Sequence, residues 1–90
     1  MQGFSGKRVL VTGAGDGLGK GIARRFAREG ASVVIAEINT EAGERTAQEI
    51  RDQGGSAVFV ETDVSSRESV EASIGMIKAR YGGLDVLVNN

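Results

Sequence analysis

The stretch that decides the fold is Thr12-Gly13-Ala14-Gly15-Asp16-Gly17-Leu18-Gly19. It follows residues 8–12, Arg-Val-Leu-Val-Thr, a short run that is apolar on both faces, as a buried parallel strand is. After it, apolar residues recur at helical spacing until Gly30 ends the pattern. Glycines between a strand and a helix allow positive φ and leave the first N–H groups of the helix facing whatever occupies the turn. The sequence therefore predicts a phosphate-binding turn.

The alternation of strand and helix continues along the chain. Further strands are predicted at 32–36, running up to Glu37, at 57–60 and at 84–88. The second helix begins at a cap, Asn39 or Thr40, and ends at Gly54. The third follows a capping-box spacing of Ser65 and Glu68, and its apolar stripe is Val70, Ile74, Ile77 and Tyr81. We predict an α/β fold: one Rossmann-like, doubly wound domain over residues 1–90, with four parallel strands, three helices and right-handed crossovers.

Composition removes several classes of function. The chain has 90 residues, no Cys and no His, which excludes thiolate chemistry, His-containing triads and thiolate zinc sites. The net charge is −1, so no basic excess points to nucleic acid. No apolar run is long enough to cross a membrane, and the first residues lack a signal-peptide core. We expect a soluble cytoplasmic protein.

Three glycine-rich templates can be tested by position. A P-loop fails because Ala14 stands where its first glycine belongs and Gly21 replaces the hydroxyl that would hold magnesium. The spacing G-x-G-x-x-G fails because its third glycine would fall on Leu18. The spacing with glycines at 13, 17 and 19, preceded by Thr12, fits. Taken alone, such glycines could equally form a tight turn with no ligand.

Glu37 favours the functional interpretation. It ends the second strand, where an acid about 20 residues past a dinucleotide fingerprint binds the adenosine ribose. A carboxylate accepts from both ribose hydroxyls and repels a 2′-phosphate, and Ile38 and Asn39 supply no cation. We expect NAD to be preferred over NADP.

Four motifs in register now carry a resemblance: residues 12–19, Glu37, Asp63-Val64, and residues 84–90, Leu-Asp-Val-Leu-Val-Asn-Asn. Together they resemble the main subfamily of the short-chain dehydrogenases/reductases over the whole 90 residues. The epimerase-like branch fits less well because it would need glycine at Asp16. The resemblance implies a turn around the cofactor pyrophosphate, built by Gly13, Gly17 and Gly19, with backbone contacts from Gly15, Asp16 and Leu18, Leu18 nearest the nicotinamide.

The same resemblance assigns the remaining site residues. It implies that Glu37 holds the adenosine ribose, that Asp63 accepts from the adenine amino group beside the Val64 backbone, and that Asn90 contacts the cofactor through its backbone. Without it, Asp63 reads as a loop cap and Asn90 as part of a turn. The family's catalytic Ser and Tyr-x-x-x-Lys are absent here: Tyr81 is the only tyrosine, and position 85 is Asp85.

We therefore expect the amino-terminal cofactor-binding part of a longer oxidoreductase, one that moves a hydride between a nicotinamide cofactor and a carbonyl or alcohol of a small-molecule substrate. Two alternatives stay open: a non-catalytic dinucleotide-binding module or inactive fragment, and, less favoured, a flavodoxin-like signalling domain. An all-parallel sheet wants both faces covered, so Val86 and Val88 should stand at an open edge. We expect these 90 residues alone to be marginally stable, oligomeric or aggregation-prone, and the parent enzyme to be a homo-oligomer.

Overall fold

The computed structural model describes residues 3–90. Its strands are β1 (Arg8–Thr12), β2 (Ser32–Glu37), β3 (Ser56–Glu61) and β4 (Val86–Val88). Its helices are α1 (Gly17–Arg28), α2 (Thr40–Asp52) and α3 (Arg67–Tyr81). The strands form one parallel sheet in the order β3-β2-β1-β4, which confirms the predicted Rossmann-like α/β architecture.

The two faces of the sheet carry different cores. Side chains of a strand alternate between faces, so Val9, Val11, Val33 and Ile35 join the cluster that includes Ala23 of α1 and Ala47 of α2. Leu10, Val34 and Ala36 point the other way, against Ile77 of α3. One helix covers less of a sheet than two do, and the α3 face keeps Val58 and Val60 only half-buried.

The helix ends follow the sequence signals with one correction. Asn39 caps α2 by accepting from the Ala42 N–H at 3.0 Å, and Gly82 ends α3 in the left-handed conformation with φ 80°. The capping box of Ser65 and Glu68 is wrong: Ser66 is the cap, and its hydroxyl accepts from Ser69 N at 3.2 Å. Ser65 instead donates its hydroxyl to Asp63 at 2.6 Å, because the preceding loop closes on that carboxylate.

The fourth strand also differs in detail from its prediction. It pairs with β1 only from Val86, after Gly83 and Asp85 have turned the chain. β4 is an edge strand of the sheet, as expected, but its Val86 and Val88 side chains are half-buried against the α1 and α2 cluster. Leu87, which points to the other face, is 50% exposed.

Candidate functional site

The glycine-rich turn lies where the strand order reverses. The chain moves outward from β1 through β2 to β3, and then returns to the other side of β1 as β4. The carboxyl ends of β1 and β4 therefore lie side by side, while α1 and α3 lead away on opposite faces. Ligands of open α/β sheets bind in the crevice at this point.

Two glycines show why the turn needs this residue type. A Cβ on Gly19 would collide with the carbonyl of Gly13, so only glycine allows α1 to start this close to the end of β1. Gly17 has a φ of 56°, in the left-handed region that other residues rarely adopt. The glycine spacing identified in the sequence therefore matches the positions where the backbone has positive φ or where α1 closely approaches the end of β1.

The start of α1 is open to an anion. Asp16 caps the helix, and its Oδ1 accepts from the Gly17 N–H at 2.8 Å. Within residues 3–90, the backbone N–H groups of Asp16 and Leu18 have no hydrogen-bond partner. The Leu18 side chain is 74% exposed beside them. Unpaired N–H groups at the positive end of a helix dipole bind phosphate.

Glu37 is brought directly against the turn. Its Oε1 accepts from Gly15 N at 2.9 Å, and its Oε2 accepts from Asn39 N at 3.0 Å. A Cβ on Gly15 would lie 2.8 Å from Oε1, so glycine is what admits the carboxylate. A carboxylate has about four lone-pair positions, and these two bonds leave about two for a ligand.

Thr12 joins the two strands of the crevice, a role that the sequence analysis missed. It is 3% exposed, and its Oγ1 accepts from the Asn90 N–H at 2.9 Å. The same hydroxyl lies 3.3 Å from Asn89 Oδ1, to which it donates, and the Asn90 amide donates to the Gly13 carbonyl at 3.4 Å. A polar residue that ends an otherwise apolar strand was the available signal, and the structure places Asn90 beside the glycine turn.

The structure places Asp63 and Val64 in the loop after β3, at the same edge of the sheet. The Asp63 N–H donates to Ser69 Oγ of α3 at 2.9 Å. Its carboxylate bonds stay within the loop: Oδ1 accepts from the Ser65 hydroxyl and, at 3.0 Å, from Ser65 N. These bonds hold the pKa of Asp63 below its usual range. None joins Asp63 to the glycine turn. Val64 is 56% exposed and Ile38, which follows Glu37, is 59% exposed, so this part of the edge offers apolar surface.

Tyr81 and Asp85 lie at the opposite, amino-terminal edge. Arg8 donates to Asp85 through Nε at 3.0 Å and through its backbone N–H at 2.8 Å, and it donates through Nη1 to the Tyr81 carbonyl. The guanidinium hydrogen bond is the main cause that lowers the pKa of Asp85. Both residues therefore belong to a structural contact away from the crevice.

Two further features concern residues 3–90 as a whole. No three carboxylate, imidazole or thiol side chains there come together as metal ligands do. None of the helices in that part of the chain combines the length and apolar character needed to cross a bilayer.

The chain is similar to known proteins over almost its whole length. The family model described as "short chain dehydrogenase" matches residues 7–90. An "Uncharacterized oxidoreductase" of Thermotoga maritima is 47% identical over 87 residues, which are 97% of this chain and 34% of the relative. The "3-oxoacyl-[acyl-carrier-protein] reductase FabG" of Chlamydia muridarum is 47% identical over 85 residues, 93% of this chain and 34% of the relative.

A solved structure extends the likeness to three dimensions. The hydroxysteroid dehydrogenase from Escherichia coli superimposes with a TM-score of 0.94 at 40% identity, over 97% of this chain and 37% of that one. The chain spans about a third of the length of the curated relatives that it matches. With a family model over almost its whole length and the glycine turn and acid in their expected places, the chain belongs to the short-chain dehydrogenase family.

Proposed function

We propose that this chain supplies the pyrophosphate and adenosine side of the cofactor site in an NAD-dependent oxidoreductase. The observation that carries the proposal is that two features lie side by side. Backbone N–H groups at the start of α1 have no partner within residues 3–90, and the Glu37 carboxylate lies next to them, 2.9 Å from Gly15 N. One feature attracts an anion and the other selects for hydroxyl groups. The relatives named as oxidoreductases and reductases support the same class of reaction.

The turn fits a pyrophosphate by its donors and by its space. Gly13, Gly17 and Gly19 shape the backbone, and the N–H groups of Asp16 and Leu18 supply hydrogen bonds. Side chains at these glycines would fill the cradle or force its backbone out of shape. Leu18, exposed beyond the start of α1, would contact the nicotinamide side of the cofactor.

Glu37 would hold the adenosine ribose. Two of its lone-pair positions are used by Gly15 and Asn39, and the remaining two would accept from the 2′- and 3′-hydroxyls. A 2′-phosphate would instead meet the Glu37 carboxylate, and neither Ile38 nor Asn39 supplies a cation to offset it. This charge pattern is why we propose NAD in preference to NADP.

The remaining predicted residues would complete the adenosine side. Val64 and Ile38 offer exposed apolar surface for the adenine ring, and Asp63 has a second carboxylate oxygen for its amino group. Asn90, whose N–H is bonded to Thr12, would use its backbone carbonyl. When bound, the cofactor supplies hydride transfer between its nicotinamide and a carbonyl or alcohol of a small-molecule substrate. These residues bind and orient it.

The test is a comparison of NADH and NADPH affinity in the full-length protein, measured by fluorescence titration. We expect NADH to bind more tightly. Glu37→Gln should weaken NADH by about tenfold to hundredfold, because one charged acceptor is lost and an amide N–H then faces a backbone N–H. The same change should bring the Kd values of NADPH and NADH closer together.

Glu61→Gln is the matched control. Glu61 pairs in register with Glu37, so this substitution removes the same charge from the same edge of the sheet. It should leave the NADH to NADPH ratio within about twofold of the wild type. Tighter binding of NADPH by the wild type would contradict the role of Glu37. An equal effect of both variants would attribute the preference to the general charge of the edge.

We also propose that the parent enzyme is a cytoplasmic homo-oligomer. The proposal rests on the family resemblance, and the exposed Leu87 on the edge strand β4 does not itself indicate a second copy of the chain. Analytical ultracentrifugation of the full-length protein should show a dimer or larger assembly, and a monomer at all concentrations would contradict this proposal.

A further inference from the structure

We infer that Thr46, a buried residue of α2, is a positioning residue for the phosphate-binding turn and so sets the affinity for the dinucleotide. The inference rests on the proposed function, which it deepens. In the sequence, Thr46 reads only as part of the apolar stripe of α2, and its hydroxyl has no predicted role. The structure directs that hydroxyl at the turn.

The contact crosses from one element to another. Thr46 is 0% exposed, and its Oγ1 donates to the carbonyl of Gly15 at 3.3 Å. A threonine within a helix commonly bonds the carbonyl four residues earlier on its own helix. Within residues 3–90, moreover, the Thr46 hydroxyl is the one donor to this buried carbonyl, because α1 is capped one residue later, at Asp16.

The direction of that carbonyl decides the direction of the next N–H group. A planar trans peptide points its C=O and its N–H to opposite sides. Because the Gly15 carbonyl points at Thr46 on α2, the N–H of Asp16 in the same peptide points away from α2. Within residues 3–90, that N–H is one of the unpartnered donors of the candidate site. Thr46 therefore aims a donor that it does not itself touch.

Glu37 restrains the preceding peptide in the same way. It accepts the N–H of Gly15, so the residue is held by its N–H from β2 and by its C=O from α2. Glycine has more backbone freedom to lose than any other residue, and a turn built of glycines needs such restraints from outside. If the turn is already ordered before the dinucleotide binds, less of the binding free energy is lost to ordering the turn.

The experiment compares Thr46→Val with Thr46→Ser in the full-length protein, by titration with NADH and separately with ADP-ribose, which lacks the nicotinamide. Valine keeps the shape and removes the hydroxyl, so Kd for both probes should rise about tenfold. Serine keeps the donor and should restore Kd to within about twofold. A melting curve without ligand accompanies each titration.

Ser73→Ala is the matched control. Ser73 is also a buried hydroxyl on a helix, 2.7 Å from the Thr62 hydroxyl, but it lies on the opposite face of the sheet. It should lower the melting temperature and leave Kd unchanged. If Thr46→Val likewise lowers only the melting temperature, Thr46 is merely structural and the inference is overturned.

Thr46→Ala covers the case in which the valine variant does not fold. Alanine favours helix, and it leaves room for a water molecule at the Gly15 carbonyl without fixing its direction. Its Kd should also rise several-fold, and a wild-type Kd would overturn the inference. A wild-type protein that binds none of NADH, NADPH and ADP-ribose would overturn the proposed function itself, whereas normal binding by every Thr46 variant would overturn only the role of Thr46.

Discussion

The two edges of the sheet use polar groups in opposite ways. At the amino-terminal edge, Arg8 and Asp85 satisfy each other through side-chain and backbone hydrogen bonds. At the carboxyl-terminal edge, Glu37 keeps unused acceptor positions, and N–H groups of Asp16 and Leu18 remain without partners. A closed set of hydrogen bonds stabilises a fold, whereas an open set offers partners to a ligand.

The largest effect should come from adding a single methyl group to the glycine turn at the carboxyl-terminal edge. Gly19→Ala would place a Cβ against the Gly13 carbonyl, a backbone atom that cannot rotate away. We expect a loss of about 3 kcal/mol or more in the free energy of unfolding, and no measurable NADH binding. Urea denaturation and fluorescence titration of the full-length protein would measure both.

Gly21→Ala is the control two residues further into α1. A Cβ there meets nothing within 4 Å, so the variant should gain about 0.5–1 kcal/mol from helix propensity and bind NADH normally. Equal losses from both variants would show that the close approach at Gly19 is not the cause.

A second experiment compares two candidate cap residues at the start of α3, at the carboxyl-terminal edge. Ser66 caps α3, which carries no ligand donors in our proposal, so Ser66→Ala should cost about 1 kcal/mol of unfolding free energy and leave NADH affinity intact. Ser65→Ala, at the position first expected to be the cap, should cost about 0.5 kcal/mol or less. A larger cost at Ser65 would restore the capping box.

A third change acts on affinity with little effect on stability. Asp16→Asn keeps an oxygen to accept from Gly17 N and removes a negative charge beside the proposed pyrophosphate position. An exposed charge at a helix start is worth ~0.3–1 kcal/mol, so NADH affinity should rise about two- to fivefold at low salt. The gain should shrink as salt is added, because screening removes it. Unchanged affinity at low salt would place the pyrophosphate elsewhere.

The smallest effect should come from breaking the Arg8–Asp85 contact at the amino-terminal edge. The pKa of Asp85 is lowered in the folded chain, so its contribution to stability is present above the unfolded value of about 4 and is lost as pH falls through the folded pKa. Asp85→Asn should reduce stability at neutral pH and make the acid decline shallower. Both partners are partly exposed, and screening keeps the effect modest.

Glu44→Gln is the control for the acid experiment, because Glu44 is exposed on α2 and, within residues 3–90, its side chain makes no hydrogen bond or ion pair. Its stability should follow the wild type from neutral to acid pH. A shallower acid decline in this variant too would mean that total charge, and not the Arg8 contact, governs the decline.

Local signals predicted the elements well where one residue decides the outcome. Gly30 follows the end of α1 and β1 has its predicted bounds, while Asn39, one of the two candidate caps, begins α2. The same kind of reasoning failed at Ser65 and Ser66, where two neighbouring serines could each serve as a cap. Asp63 settled that choice by taking the Ser65 hydroxyl, a contact that depends on how the loop closes after β3.

The candidate site divides along the same line. Periodicity and glycine spacing are local, and they were enough to predict the parallel sheet, the turn of residues 13–19 and the acid Glu37 at the end of β2. The roles of Thr12 and Thr46 depend on residues 78 and 31 positions away, because each hydroxyl finds its partner only after the strands and helices have packed. Spacing along a chain reports which backbone conformations are allowed; which buried hydroxyl meets which carbonyl is decided by packing across the sheet.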